Sequence, residues 1–125
     1  MYKRQHSGGA AQIGSIIGRY PKIVDTAILV SCPCNVSTWR SAKGKKPWLK
    51  SQSPHNYLQE VAKTTKIIIV NGSRDNNTRT EHVKKYIEKA KSLGLDAHYV
   101  SVNGAGHGFG KLSSKVKDIV RAEIQ

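Results

Sequence analysis

The sequence predicts an α/β fold: a doubly wound, mostly parallel sheet with helices on both faces. Two patterns carry this reading. Thr26-Ala27-Ile28-Leu29-Val30 and Lys66-Ile67-Ile68-Ile69-Val70 are short, nearly continuous apolar runs. Such runs fit strands buried on both faces, as occurs where helices cover a parallel sheet on each side. Segments with helical periodicity alternate with these runs, and that alternation is the signature of parallel pairing through helical crossovers. The 125 residues allow one domain with a modest core.

In chain order, small residues open a helix over Gly8 to Arg19, with Ile13, Ile16 and Ile17 as its apolar stripe and Pro21 as its stop. The Thr26–Val30 strand follows, bounded by Asp25 and Pro33. Cys32 to Ser53 is polar and basic, contains Trp39, Pro47 and Trp48, and reads as a connector with short helical pieces. Ser53-Pro54 introduces a short helix over His55 to Lys63. The second strand, Lys66 to Val70, is rich in β-branched residues and is broken by Asn71-Gly72. Arg79 to Leu93 is amphipathic, with Val83, Tyr86, Ile87, Ala90 and Leu93 on one face and Gly94 as its stop. Ala97 to Val102 supplies a third strand. Leu112, Val116, Ile119, Val120 and Ile124 mark a C-terminal helix. About three strands are therefore expected, in the order α-β-connector-β-α-β-α.

The net charge is +13, of which Lys3 and Arg4 contribute two, leaving +11 without them. Such a balance raises nucleic acid as a partner. The lysines are dispersed, however, from Lys43, Lys45, Lys46 and Lys50 to the faces of the later helices, with no aromatic-interleaved platform among them. A basic solvated surface is expected, with no specific nucleic acid. No apolar run reaches the length of a transmembrane helix, so no membrane partner is expected. Cys32 and Cys34 are one residue apart; this strains a direct disulfide and misses the usual zinc spacing. They are expected as buried or half-buried cysteines at a strand end.

Three residues in turn-like settings carry the chemistry. Ser7 lies in His6-Ser7-Gly8-Gly9-Ala10, Asp75 in Asn71-Gly72-Ser73-Arg74-Asp75, and His107 in Gly104-Ala105-Gly106-His107-Gly108-Phe109. A serine hydroxyl is a weak nucleophile until a histidine accepts its proton, and the histidine needs a carboxylate to fix its tautomer. Taken singly, Ser-Gly-Gly also suits a flexible loop, Asp75 a turn or helix cap, and His107 a surface loop. Together they are a nucleophile, an acid and a base.

The apolar strand, Asn-Gly-x-x-Asp, helix, strand and Gly-His-Gly-Phe, together with the order Ser-Asp-His, resemble the prolyl oligopeptidase and dienelactone hydrolase branch of the α/β-hydrolases over His6 to Gln125. The resemblance implies a serine hydrolase acting on carboxylic ester or peptide bonds through an acyl-serine intermediate, with no metal or cofactor. It assigns Ser7 as nucleophile, His107 as general base and then acid, Asp75 as its orienting partner, and the Gly8 N–H as one oxyanion-hole donor. It also implies a small-molecule ester or peptide substrate; an acyltransferase is the neighbouring enzyme reading. From other classes, a basic nucleic-acid or protein interaction module on a degenerate hydrolase fold remains the alternative, and a flavodoxin-like regulator leaves the His107 loop unexplained.

In that fold the serine follows the fifth strand, yet six residues precede it here, so residues 6–125 are expected to form a partial catalytic domain lacking the strands before the elbow. Thr26–Val30 would then expose an apolar edge. The elbow pattern G-x-S-x-G also wants glycine where Gln5 stands. Met1-Tyr2-Lys3-Arg4-Gln5 is what GTG-TAT-AAG-AGA-CAG encodes from a GTG start, a string resembling a transposon-end library adapter, so residues 1–5 are expected to be non-native, with glycine as the native residue at position 5.

Overall fold

The computed structural model describes residues 2–46 and 52–123. Its elements run β1 (Tyr2–His6), α1 (Gly8–Arg19), β2 (Thr26–Val30), α2 (Val36–Ala42), a 3₁₀ helix (Pro54–Glu60), β3 (Lys66–Gly72), α3 (Thr80–Ser92), β4 (Asp96–Val102) and α4 (Ser113–Glu123). The strands form one sheet in the order β1-β2-β3-β4, and every neighbouring pair is parallel. The fold class is the one the alternating pattern predicts.

The two-residue period of the strands divides the core. Ala27, Leu29, Ile67 and Ile69 face α1, α3 and the 3₁₀ helix. Ile28, Val30, Ile68 and Val70 face the other way, against Leu112, just before α4, and Val116 within it. Both faces of β2 and β3 are thus covered, which is why their sequences are continuously apolar. Gly18 lets α1 sit directly on the 3₁₀ helix: a Cβ there would lie 2.6 Å from the Tyr57 carbonyl oxygen. Tyr86 on α3 is fully buried. Burial pushes its phenol well above the usual range.

Three expectations are corrected. First, four strands are present among the described residues, where about three were expected with none before Ser7. The fourth, β1, pairs in register with β2 from Tyr2↔Thr26 to His6↔Val30. Lys3, Arg4 and Gln5 are exposed, so this edge strand rests on its backbone ladder and shows no apolar run from which it could be read. Second, β2 does not present an open edge. It lies between β1 and β3, and residues Ala27 to Val30 are fully buried. Third, Cys32 and Cys34 are joined in a disulfide, their Cα atoms 5.1 Å apart. That separation falls within the span a disulfide bridges, and Ser31, just before the pair, turns the chain at a φ of 51°. Both cysteines are buried.

The connector carries α2, capped by Asn35, whose side-chain oxygen accepts the Thr38 N–H at 3.2 Å. Pro47, Trp48, Lys50 and Ile124 lie outside the described residues. Among the described residues no helix is long and apolar enough to cross a membrane.

Candidate active site

Because the strands are parallel and in register, their carboxyl ends reach one rim of the sheet, the edge where open α/β sheets place ligands. Ser7 leaves β1 there, Ser31 leaves β2, the turn holding Asp75 leaves β3, and the loop holding His107 leaves β4.

Ser7 occupies a strand-to-helix turn with φ 53° and ψ −118°. A non-glycine residue rarely adopts a positive φ, and such strain is held only where surrounding contacts enforce it. Here the Ser7 N–H donates to the Val30 carbonyl at 2.7 Å, and the Ser7 carbonyl accepts the Ala11 N–H as the first turn of α1. Gly8 is the first residue of α1, where a backbone N–H has no intrahelical acceptor. Gln5 lies over Gly9: a Cβ on Gly9 would come 2.6 Å from Gln5 Oε1. The two positions that flank the serine at a distance of two residues thus lie against each other.

The Ser7 hydroxyl and His107 Nε2 are 2.8 Å apart, and His107 Nδ1 is 3.0 Å from Asp75 Oδ2. A carboxylate only accepts, so Nδ1 carries the proton and Nε2 is left as the acceptor for the Ser7 O–H. The three predicted side chains meet at one place. The Asp75 side chain is fully buried, and that of His107 is 24% exposed. Burying a carboxylate is costly unless donors surround it. Asp75 Oδ1 accepts the N–H groups of Asn77 and Thr78 at 2.9 and 2.8 Å. Oδ2 accepts the Thr78 hydroxyl at 2.5 Å as well as the imidazole. Asp75 therefore stabilises its own turn and faces His107; it does not cap α3, which begins after Arg79.

Two further residues meet His107 at the rim. The His107 carbonyl accepts two hydrogen bonds, from His6 Nε2 at 2.7 Å and from the Ser31 hydroxyl at 3.0 Å. His6 thus touches His107 through the backbone of that residue. The other histidines lie elsewhere: His98 bonds Asp96, two residues earlier on β4, His82 approaches Glu81, and His55 sits at the start of the 3₁₀ helix.

Beside Ser7 opens a cavity of about 640 Å³, its walls including Ala11, Ile16, Pro33, Val36 and Trp39. Trp39 both lines it and anchors the connector, donating from Nε1 to Asn77 Oδ1 at 2.8 Å. Among the described residues, no three or more His, Cys, Asp or Glu side chains are grouped to hold a metal ion.

Among curated proteins none matches. Solved structures match widely. The chain superposes on esterase PE8 with a TM-score of 0.71 and 17% identity, covering 99% of this chain and 50% of that one. An acylaminoacyl peptidase from Pyrococcus horikoshii gives 0.80 and 12%, covering 96% and 23%. A puromycin-hydrolyzing peptidase from Mycobacterium tuberculosis gives 0.77 and 14%, covering 94% and 20%. The chain thus spans half or less of the length of each of these structures. A sequence profile of the prolyl oligopeptidase family matches residues 7–124. This chain belongs to the prolyl oligopeptidase family.

Proposed function

We propose that this chain carries the catalytic residues of a serine hydrolase that cleaves carboxylic ester or peptide bonds through an acyl-serine intermediate. Ser7 Oγ attacks the carbonyl carbon while His107 Nε2 takes its proton. The tetrahedral intermediate collapses as His107 returns that proton to the leaving alcohol or amine, and water then repeats the sequence on the acyl-serine. Asp75 keeps the imidazole in the required tautomer and stabilises its charged form. The Gly8 N–H is one donor to the oxyanion.

The observation that carries this reading is the conjunction at Ser7: a strained backbone at φ 53° with its hydroxyl 2.8 Å from His107 Nε2. The nearby cavity, walled by Val36 and Trp39, would receive an apolar part of the substrate.

A second oxyanion donor is supplied in this family by a loop outside the segment matched here. Loss of one such donor costs about 10²–10³ in turnover. The isolated 125-residue chain therefore has little or no esterase activity, and the enzyme assembled with the N-terminal half of the fold has it. Hydrolysis of a p-nitrophenyl ester tests both statements. Appreciable turnover by the isolated chain contradicts the first. No turnover by the assembled enzyme contradicts the second, and turnover by it that survives Ser7→Ala contradicts the role of Ser7.

A further inference from the structure

The acid side of the relay contains one more polar group than the proton transfer requires. Thr78 is 2% exposed, and its hydroxyl lies between Asp75 and His107. Thr78 Oγ1 is 2.5 Å from Asp75 Oδ2, 3.3 Å from His107 Nδ1 and 3.4 Å from Asn71 Oδ1. A hydroxyl has one proton to donate. The short contact to the carboxylate takes it, because hydrogen bonds to a charged acceptor are the stronger ones. The lone pairs of Oγ1 then face the His107 Nδ1–H, which is shared unequally between Asp75 Oδ2 and Thr78. The backbone around the hydroxyl is fixed: the Thr78 N–H is held by Asp75 Oδ1 at 2.8 Å, and the Thr78 carbonyl accepts from Asn71 Nδ2 at 3.0 Å. Asn71 is itself fully buried.

We propose that Thr78 is a positioning residue of the relay, whose hydroxyl orients Asp75 Oδ2 toward His107 and competes with the imidazole for the charge on that oxygen. This rests on the reading of His107 as the base. The competition has a direction. Removing the hydroxyl leaves Oδ2 with the imidazole as its remaining donor in a site closed to water, so the carboxylate holds a protonated His107 more tightly. The ionisable groups against the His107 ring are Asp75, from the turn after β3, and His6, from β1, whose ring centroid is 5.3 Å away. His6 bonds the His107 carbonyl and does not touch Asp75 Oδ2, so it is unchanged by substitution at Thr78.

The test is an NMR titration of the histidine rings in the 125-residue chain, with His107 assigned by its loss in His107→Gln. Thr78→Val moves the His107 midpoint to higher pH by about half a unit or more, roughly a threefold change in proton affinity. Thr78→Ala, a second hydroxyl-free variant that does not depend on valine packing, moves it the same way. Thr78→Ser restores the wild-type midpoint. In an Asp75→Asn background the Thr78→Val shift disappears, which a purely structural role for Thr78 would not produce. An unchanged midpoint in both hydroxyl-free variants overturns the proposal, as does a shift that survives Asp75→Asn. Fluorophosphonate labelling of Ser7 reports separately on the hydrolase reading. A midpoint shift without an adduct counts against Ser7 as nucleophile and leaves the role of Thr78 standing; an adduct without a shift does the reverse.

Discussion

Gly72, the last residue of β3, lies directly against the backbone of Ala105 in the loop that carries His107. A Cβ at position 72 would collide with the carbonyl groups of Ala105 and Gly106. Three hydrogen bonds close the same seam: Ser73 N–H to the Val102 carbonyl, Arg74 N–H to the Ala105 carbonyl, and Gly104 N–H to the Ser73 hydroxyl. The turn holding Asp75 and the loop holding His107 are thus built as one unit. The obstacle to a larger residue is backbone, which cannot swing aside.

Gly72→Ala is therefore expected to destabilise the fold by about 3 kcal/mol, the upper part of the usual cost of overpacking, and to separate Asp75 from His107. Gly104→Ala is the control. Nothing lies within 4 Å of a Cβ there, and its φ of +78° is the sole penalty, about 1 kcal/mol. Urea denaturation of the two variants checks the difference; equal losses would contradict the close-contact account.

The Asp75 side chain is fully buried and faces four hydrogen-bond donors. Asp75→Asn keeps its shape but presents an amide that can favour the wrong imidazole tautomer. In the assembled enzyme it is expected to lower ester hydrolysis on the order of 10³–10⁴-fold, as in other Ser-His-Asp relays. A loss below tenfold in the steady-state rate would remove Asp75 from the relay.

The Cys32–Cys34 disulfide closes a loop with a sequence separation of 2. So small a loop removes little chain entropy, and reduction is expected to cost about 1–2 kcal/mol. Intact mass should fall by about 2 Da relative to the reduced chain, the two hydrogens lost when a disulfide forms. Two free thiols found by alkylation of the unreduced, denatured chain would contradict it.

His55 gives the stability a pH dependence. Its Nδ1 is buried with no hydrogen-bond partner among the described residues. Burial, and then the Lys89 ammonium, hold its imidazole below the ordinary value of 6.5. The unfolded chain therefore takes up this proton at higher pH than the folded one. The contribution is fully present above 6.5 and is lost as pH falls through the lower folded value. His55→Asn is expected to flatten the decline in thermal midpoint between about pH 7 and 5. An identical slope in variant and parent would contradict the assignment.

What the sequence made legible follows physical rules. β2 and β3 are buried on both faces, so their apolar runs announce them, and α1 was read at both of its ends because small residues and Pro21 mark them. β1 was illegible because an edge strand of Lys, Arg and Gln is held by backbone pairing, which leaves no side-chain pattern. Ser7, Asp75 and His107 could be nominated from residue type, order and turn chemistry. Thr78, Ser31 and His6 could not be given their contacts, since each depends on how two turns from different strands come together at the rim. Trp39 could be seen in the sequence only as a large apolar residue of the connector; its bond to Asn77 spans 38 residues and had no local signal.

The most direct test of the account is covalent labelling of the 125-residue chain with a fluorophosphonate, located by peptide mass spectrometry. A missing oxyanion donor slows this reaction without abolishing the nucleophile, so a slow single adduct at Ser7 is expected, lost in Ser7→Ala and in His107→Ala. Absence of an adduct at Ser7 after prolonged exposure, or an adduct there that persists without His107, would contradict the claim that the imidazole activates this serine.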